Sequence, residues 1–179
     1  NEDAESREFY CEVIMDEASK MNQMVKNLLT LNQLEFGDED IVFDRFNLTA
    51  LVRGVLQSME IMANQAGAKI LLHTEEDIYA WADEFKVEQV VKNYVSNACH
   101  HVSGDMVIEV KMVQKDGKVR VSVFNTGTPI PEADIVHIWD KFYKVDKAHT
   151  REYGGNGIGL SIVKAIMKSF HQEYGSKEL

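Results

Sequence analysis

Gly154-Gly155-Asn156-Gly157-Ile158-Gly159-Leu160, followed by the apolar run Ile162-Val163-Lys164-Ala165-Ile166-Met167, is the stretch on which the reading of this chain turns. Four glycines within six residues, then helical periodicity, is the layout of a phosphate-binding helix N-terminus. Glycine lets the backbone approach an anion closely, and first-turn N–H groups have no intrahelical partners. Glycine loops also serve as plain hinges, so the run acquires a meaning only from what lies upstream.

Working outward, the helix opened by the glycines is predicted to run to about Phe170. The polar stretch Lys144–Asn156 before it has no periodicity and reads as a mobile loop. Further upstream, a loop with Pro129 and Pro131 leads to a short predicted helix toward Phe142. Met106, Ile108, Val110 and Met112 alternate as in a strand, as do Val119, Val121 and Val123. Asp116-Gly117 between them signals a type I′ hairpin. A helix is predicted from Glu84 to about His101, capped by Asp83. Short strands are predicted at Lys69–Thr74 and Ile78–Trp81. Asn47 can cap a helix carrying Leu48, Leu51, Val52, Val55, Met59 and Met62 on one face. The first segment, about Glu5 to Leu34, lacks Pro and Gly and places Ile14, Ala18, Met21, Val25, Leu28 and Leu31 at helical spacing. Such an amphipathic helix cannot bury its stripe on itself, so it is expected to pack on a partner helix. Gly37 and Asp38-Glu39-Asp40 mark a boundary, which gives two units, 1–37 and 41–179.

Composition narrows the function. The 179 residues are 45% apolar, enough for a packed core, and carry a net charge of −10 with no block of lysine or arginine. That argues against a nucleic-acid surface. It leaves ATP open, because phosphates can be held by backbone N–H groups, magnesium and a few local cations. Cys11 and Cys99 lie far apart and outside any zinc-ligand spacing, so two reduced thiols are expected. No stretch approaches the roughly 20 apolar residues of a membrane span, and no signal peptide is visible. The chain reads as a soluble intracellular piece.

The helix at Glu84–His101 has an apolar face (Val87, Val90, Val91, Tyr94, Val95, Ala98) and a polar stripe of Gln89, Asn93, Asn97 and His100 or His101. On composition alone a solvent-facing stripe remains the simpler explanation. Two asparagines one turn apart are nonetheless an odd choice for a helix, and their amide oxygens are hard ligands suited to magnesium. Asn125-Thr126-Gly127-Thr128-Pro129-Ile130-Pro131 directly follows a β-branched strand. It is either an ordinary turn or a site where Asn125 meets a planar heterocycle at a strand end.

These segments together resemble a known family. Asn93-Tyr94-Val95-Ser96-Asn97-Ala98 resembles the asparagine box of bacterial sensor histidine kinases, and Asn125–Pro131 their first glycine box. Ile138-Trp139-Asp140-Lys141-Phe142-Tyr143-Lys144 resembles the phenylalanine box, and Gly155–Lys164 the second glycine box. Met21–Leu29 resembles the second helix of the family's dimerisation hairpin. The Asn-Thr-Gly flavour of the first glycine box is similar to kinases of low-GC Gram-positive bacteria, vancomycin-resistance sensors among them.

The resemblance implies an α+β fold of the GHKL type, a two-layer α/β sandwich with a mixed sheet covered on one face by helices, preceded by the long amphipathic helix. It implies ATP and Mg2+ as ligands. Asn97 would be the main magnesium ligand, with Asn93 a second ligand or a phosphate contact. Asn125 would sit at the adenine amino group, and Gly127 would let the backbone pass close to the base. Gly155, Gly157 and Gly159 would line the end of a lid and, with Ile158 and Leu160, present the phosphate end of the site. Lys144 and Arg151 would bring positive charge to the γ-phosphate. His100, His101, Ile130 and Tyr143 complete the expected ATP contacts. The implied partners are the chain's own acceptor-histidine helix, a response regulator and a second copy in a homodimer, at the cytoplasmic side of the membrane. Nucleic acid is not among them.

Several positions depart from the family pattern. Asn125 replaces the usual Asp, which keeps an acceptor oxygen and loses the charge. Pro129 replaces a glycine and stiffens the loop. His100 and His101 stand where Lys or Arg and Tyr are usual. If His100 contacts phosphate, binding strengthens as pH falls through the histidine range. None of His73, His100, His101, His137, His149 and His171 has the acceptor context of a following acid and proline. The acceptor helix is therefore expected outside this chain. The family's closing strand pair is likewise expected beyond Gln172–Leu179. Two other readings remain, a GHKL-type ATPase and a nucleotide-free interaction module. The ATPase needs a general base where Asn93 stands, and an amide cannot take a proton from water.

Overall fold

In the computed structural model the described residues are 2–37, 41–74, 76–145 and 157–177. The expected sites Arg151 and Gly155, and nearly all of the expected loop at 144–156, lie outside them.

Helix α1 spans Glu2–Phe36 and ends where Gly37 donates its N–H to the Gln33 carbonyl at 2.8 Å. Strand β1 (Asp44–Asn47) leads directly into α2 (Leu48–Ser58) and α3 (Glu60–Gln65). Asn47 caps α2 as expected, its side-chain oxygen accepting from Ala50 N–H at 2.9 Å. The single helix read from sequence is broken at Met59, whose N–H is shared between the Val55 and Leu56 carbonyls. Strands β2 (Lys69–His73) and β3 (Tyr79–Ala82) follow, then α4 (Glu84–His101), β4 (Val107–Lys115), β5 (Lys118–Asn125) and α5 (Gly159–Ser169).

Among the described residues five strands form two sheets. β1 and β3 make an antiparallel ribbon, while β2 pairs parallel to β4 and β4 antiparallel to β5. The three-stranded sheet is therefore mixed, as expected. Asp116 and Gly117 both have positive φ, 52° and 72°, as the type I′ turn demands. The ribbon strand β1 was not legible, because Asp44-Arg45-Phe46-Asn47 has one apolar residue and no alternation. The short helix expected before Phe142 is instead a series of turns. Asp134, His137 and Asp140 each donate to a carbonyl three residues back, and only Ile138 makes a helical bond, to Asp134.

Helix α4 organises the core. Val91, Val95 and Ala98 face α2 and the sheet, with Val52, Val55, Ile108 and Val110. Val90 faces the other way, onto Ile158, Ile162, Val163 and Ile166 of the α5 segment. Leu31 of α1 is buried in that second cluster. The expected stripe of α1 is only partly used: Ile14, Met21 and Val25 are exposed, and burial is confined to the end of the helix near α5.

Candidate functional site

The polar stripe of α4 and the start of α5 meet. Asn93 Nδ2 donates to the Gln89 carbonyl one turn back at 2.9 Å, which leaves Oδ1 without a hydrogen-bond partner among the described residues. That oxygen lies against Gly159, where an added Cβ would come within 2.9 Å of it. A side chain at Gly159 would displace Asn93. Asn97, one turn along α4, is half-buried, and its amide has no hydrogen-bond partner among the described residues. Helix α5 opens without a side-chain cap: Ile158 is fully buried, and Ser161 turns its hydroxyl back to the Ile158 carbonyl at 2.7 Å. Among the described residues nothing accepts from the N–H groups of Gly159 and Leu160, so this helix start is open to an external acceptor.

Asn125 is the last residue of β5 and half-buried. Its Nδ2 donates to the Thr126 carbonyl at 3.2 Å, so its Oδ1 is the free acceptor. Thr126 pins the loop to β4: its N–H donates to the Val107 carbonyl and its Oγ1 accepts from Val107 N–H. Its own carbonyl accepts from Ser103 N–H at 2.9 Å. Nothing in the local pattern around Thr126 signals this role. Gly127 lies against the end of α4, where a Cβ would sit 2.5 Å from the His101 carbonyl. Its small size serves loop-to-helix packing here, a steric reason the sequence did not reveal. Ile130 is half-buried in the same loop.

His100 holds its Nδ1 2.7 Å from the Ser96 carbonyl, so that nitrogen carries a proton and Nε2 is the ring nitrogen left for another partner. His101 follows on an exposed position. At the base of the expected lid the two ends come together: Phe142 N–H donates to the Gly157 carbonyl at 2.8 Å. Gly157 has φ 65°, and a Cβ there would crowd the Phe142 backbone at 3.0 Å. Tyr143 does not point freely into a site. Its hydroxyl donates to Asp134 Oδ1 at 2.5 Å, a bond that pushes the phenol up from its ordinary range. Nothing in the sequence pattern joined Asp134 to Tyr143. Lys144 is half-buried and makes no ion pair among the described residues.

A cleft of about 470 Å³ lies elsewhere, between the end of α1 and α5, bordered by Leu34, Trp139, Lys164 and Lys168. No expected ATP residue lines it.

The site therefore consists of two amides on α4, an uncapped glycine helix start beside them, and a strand-end amide held at α4's far end. A family profile described as histidine kinase-, DNA gyrase B-, and HSP90-like ATPase matches residues 82–178, more than half of the chain. The chain belongs to this ATPase family. All the expected ATP residues fall within the matched range. The sensor histidine kinase WalK of Bacillus subtilis is 29% identical over 161 residues, covering 88% of this chain and 26% of WalK. The nucleotide-free catalytic domain of the histidine kinase ThkA superposes with TM-score 0.62 at 32% identity, covering 72% of this chain and 81% of that one. ThkA solved in complex with the response regulator TrrA gives TM-score 0.71 at 30% identity, covering 91% and 44%. The chain spans about a quarter of the length of WalK.

Proposed function

We propose that this chain is the ATP-binding catalytic part of a sensor histidine kinase, which holds ATP so that its γ-phosphoryl group can pass to a histidine outside residues 1–179. The observation that carries the reading is the pairing of Asn93 Oδ1 with Gly159 at the uncapped start of α5. A metal-seeking oxygen and an anion-seeking helix end adjoin there, and a triphosphate with its cation needs both.

The donor set fits magnesium. Neutral amide oxygens of Asn97 and Asn93 leave most coordination positions to phosphate oxygens and water, as magnesium prefers. When bound, the ion neutralises charge on the phosphates. The chain's own residues do the positioning. Asn125 Oδ1 accepts from the adenine amino group. First-turn N–H groups of α5 and the Lys144 ammonium hold phosphate oxygens, and His100 Nε2 adds a donor when protonated. With no general base at Asn93, the site favours transfer to an incoming imidazole over attack by water.

In the intact protein, the acceptor-histidine helix, a homodimer through α1 and a response regulator would complete the pathway at the cytoplasmic side of the membrane. The complex of ThkA with TrrA supports the regulator as partner by analogy. Calorimetric titration with ATP and magnesium should show binding, and Asn97→Ala should weaken it by about tenfold or more, equivalent to about 1.4 kcal/mol. A separately expressed hairpin carrying the acceptor histidine should then gain an acid-labile label. Steady phosphate release without transfer would favour the ATPase reading, and no binding the nucleotide-free module.

A further inference from the structure

The open face of the three-stranded sheet carries charge opposite in sign to the whole chain. Burial of Ile108, Val110 and Met112 fixes which side of β4 meets the helices. Alternation then turns Glu109, Lys111, Val113 and Lys115 to the other side. The register sets Arg120 opposite Val113 and Lys118 opposite Lys115. Lys69 lies on the same side of β2, and His73 beside Lys111. Five exposed lysines and arginines thus share one face, and none forms an ion pair among the described residues. Among the described strand residues the carboxylate on this face is Glu109, 3.6 Å from His73. Val113 and Phe124, 42% and 37% exposed, lie among the cations.

We propose that this sheet face docks on an anionic phospholipid bilayer. The cations are spread over a broad pleated surface rather than gathered round a groove, and the cleft described above opens beside α1. A spread of ammonium and guanidinium groups with short apolar side chains between them matches a plane of phosphate headgroups better than a single peptide. The rest of a chain of net charge −10 is repelled by such a plane, so contact is confined to this face and orients the domain. Hairpin residues Lys115, Lys118 and Arg120 extend past the end of β2 and make first contact. The proposal does not rest on the kinase reading, because the face lies outside the ATP residues and its test contains no nucleotide.

The chain should co-sediment with vesicles of equimolar phosphatidylglycerol and phosphatidylcholine and not with phosphatidylcholine alone. Binding should fade with salt as the Debye length falls from about 10 Å at 0.1 M to about 3 Å at 1 M. Lys111→Glu/Arg120→Glu should lower partitioning by about tenfold or more, because it removes two attractions to the headgroup plane and adds two repulsions. Lys26→Glu/Lys177→Glu makes the same change of net charge away from the face and should lower it far less. The neutral pair Lys111→Gln/Arg120→Gln, checked for folding by circular dichroism, should give an intermediate loss. Equal losses in face and control variants would overturn the proposal. So would absence of binding to the anionic vesicles; face-dependent retention on immobilised polyglutamate would then assign the face to an acidic protein instead.

Discussion

At the scale of single residues, Gly127 shows how a small side chain can serve a purpose other than the one its motif implies. An added Cβ would meet the His101 carbonyl at 2.5 Å, and a backbone carbonyl in the last turn of α4 cannot rotate away. Gly127→Ala should therefore lower stability by about 1–3 kcal/mol, read as a shift in the denaturation midpoint. Tyr94 offers a second residue-scale test. Burial, with a smaller contribution from Tyr174, pushes its phenol from the ordinary 10.0 up to about 12. The protonated form is the one the fold holds, so this stability is complete below pH 10 and is lost as pH rises from 10 toward 12. The stake is on the order of 2–3 kcal/mol at about 1.4 kcal/mol per unit. Tyr94→Phe should flatten that part of the alkaline denaturation profile. An unchanged profile would mean that the ring is not held as described.

At the scale of elements, Asp83 is the joint between the chain entering the domain and the helix that carries the site. It is buried, its Oδ1 caps α4 by accepting from Lys86 N–H at 3.1 Å, and its Oδ2 accepts from Val42 N–H at 3.2 Å. Asp83→Ala removes both acceptors and should cost about 2 kcal/mol, the upper end for a helix cap, measured by chemical denaturation. The cap itself was legible from Asp83 preceding the helical run. The bond to Val42, 41 residues away, was not. The same contrast holds for α2 and α3: periodicity ran through Met59, whereas the packed chain turns there and shares one N–H between two carbonyls.

At the scale of the molecule, α1 is attached at one end. Leu31 is buried against the α5 cluster, and Glu35 Oε2 lies 2.6 Å from Lys141 Nζ. The exposed ion pair contributes little by itself, so the apolar contact carries the attachment. Leu31→Ala should speed amide exchange in the last turns of α1 and leave β4 and β5 unchanged. The His137–Asp140 hydrogen bond, with Lys164 nearby, holds the Asp140 carboxyl below its usual range on the same side of the domain. No helix among the described residues is long and apolar enough to cross a membrane.

Periodicity and turn chemistry are local properties, so the sequence alone determined α4 from Glu84 to about His101, the glycine-opened start of α5, the β4–β5 hairpin and its turn, and the asparagines placed one turn apart. What needed the tertiary structure were relations between distant segments. Asn93 acquires a free, aimed oxygen because Gly159, 66 residues later, brings α5 against it. Tyr143 is engaged by Asp134, and the ribbon strand β1 exists because β3 supplies the hydrogen bonds that Asp44-Arg45-Phe46-Asn47 could not signal by alternation. The glycine run announces that a backbone can approach something closely. Only packing decides what it approaches, because steric fit and hydrogen-bond partners depend on segments that periodicity cannot bring together.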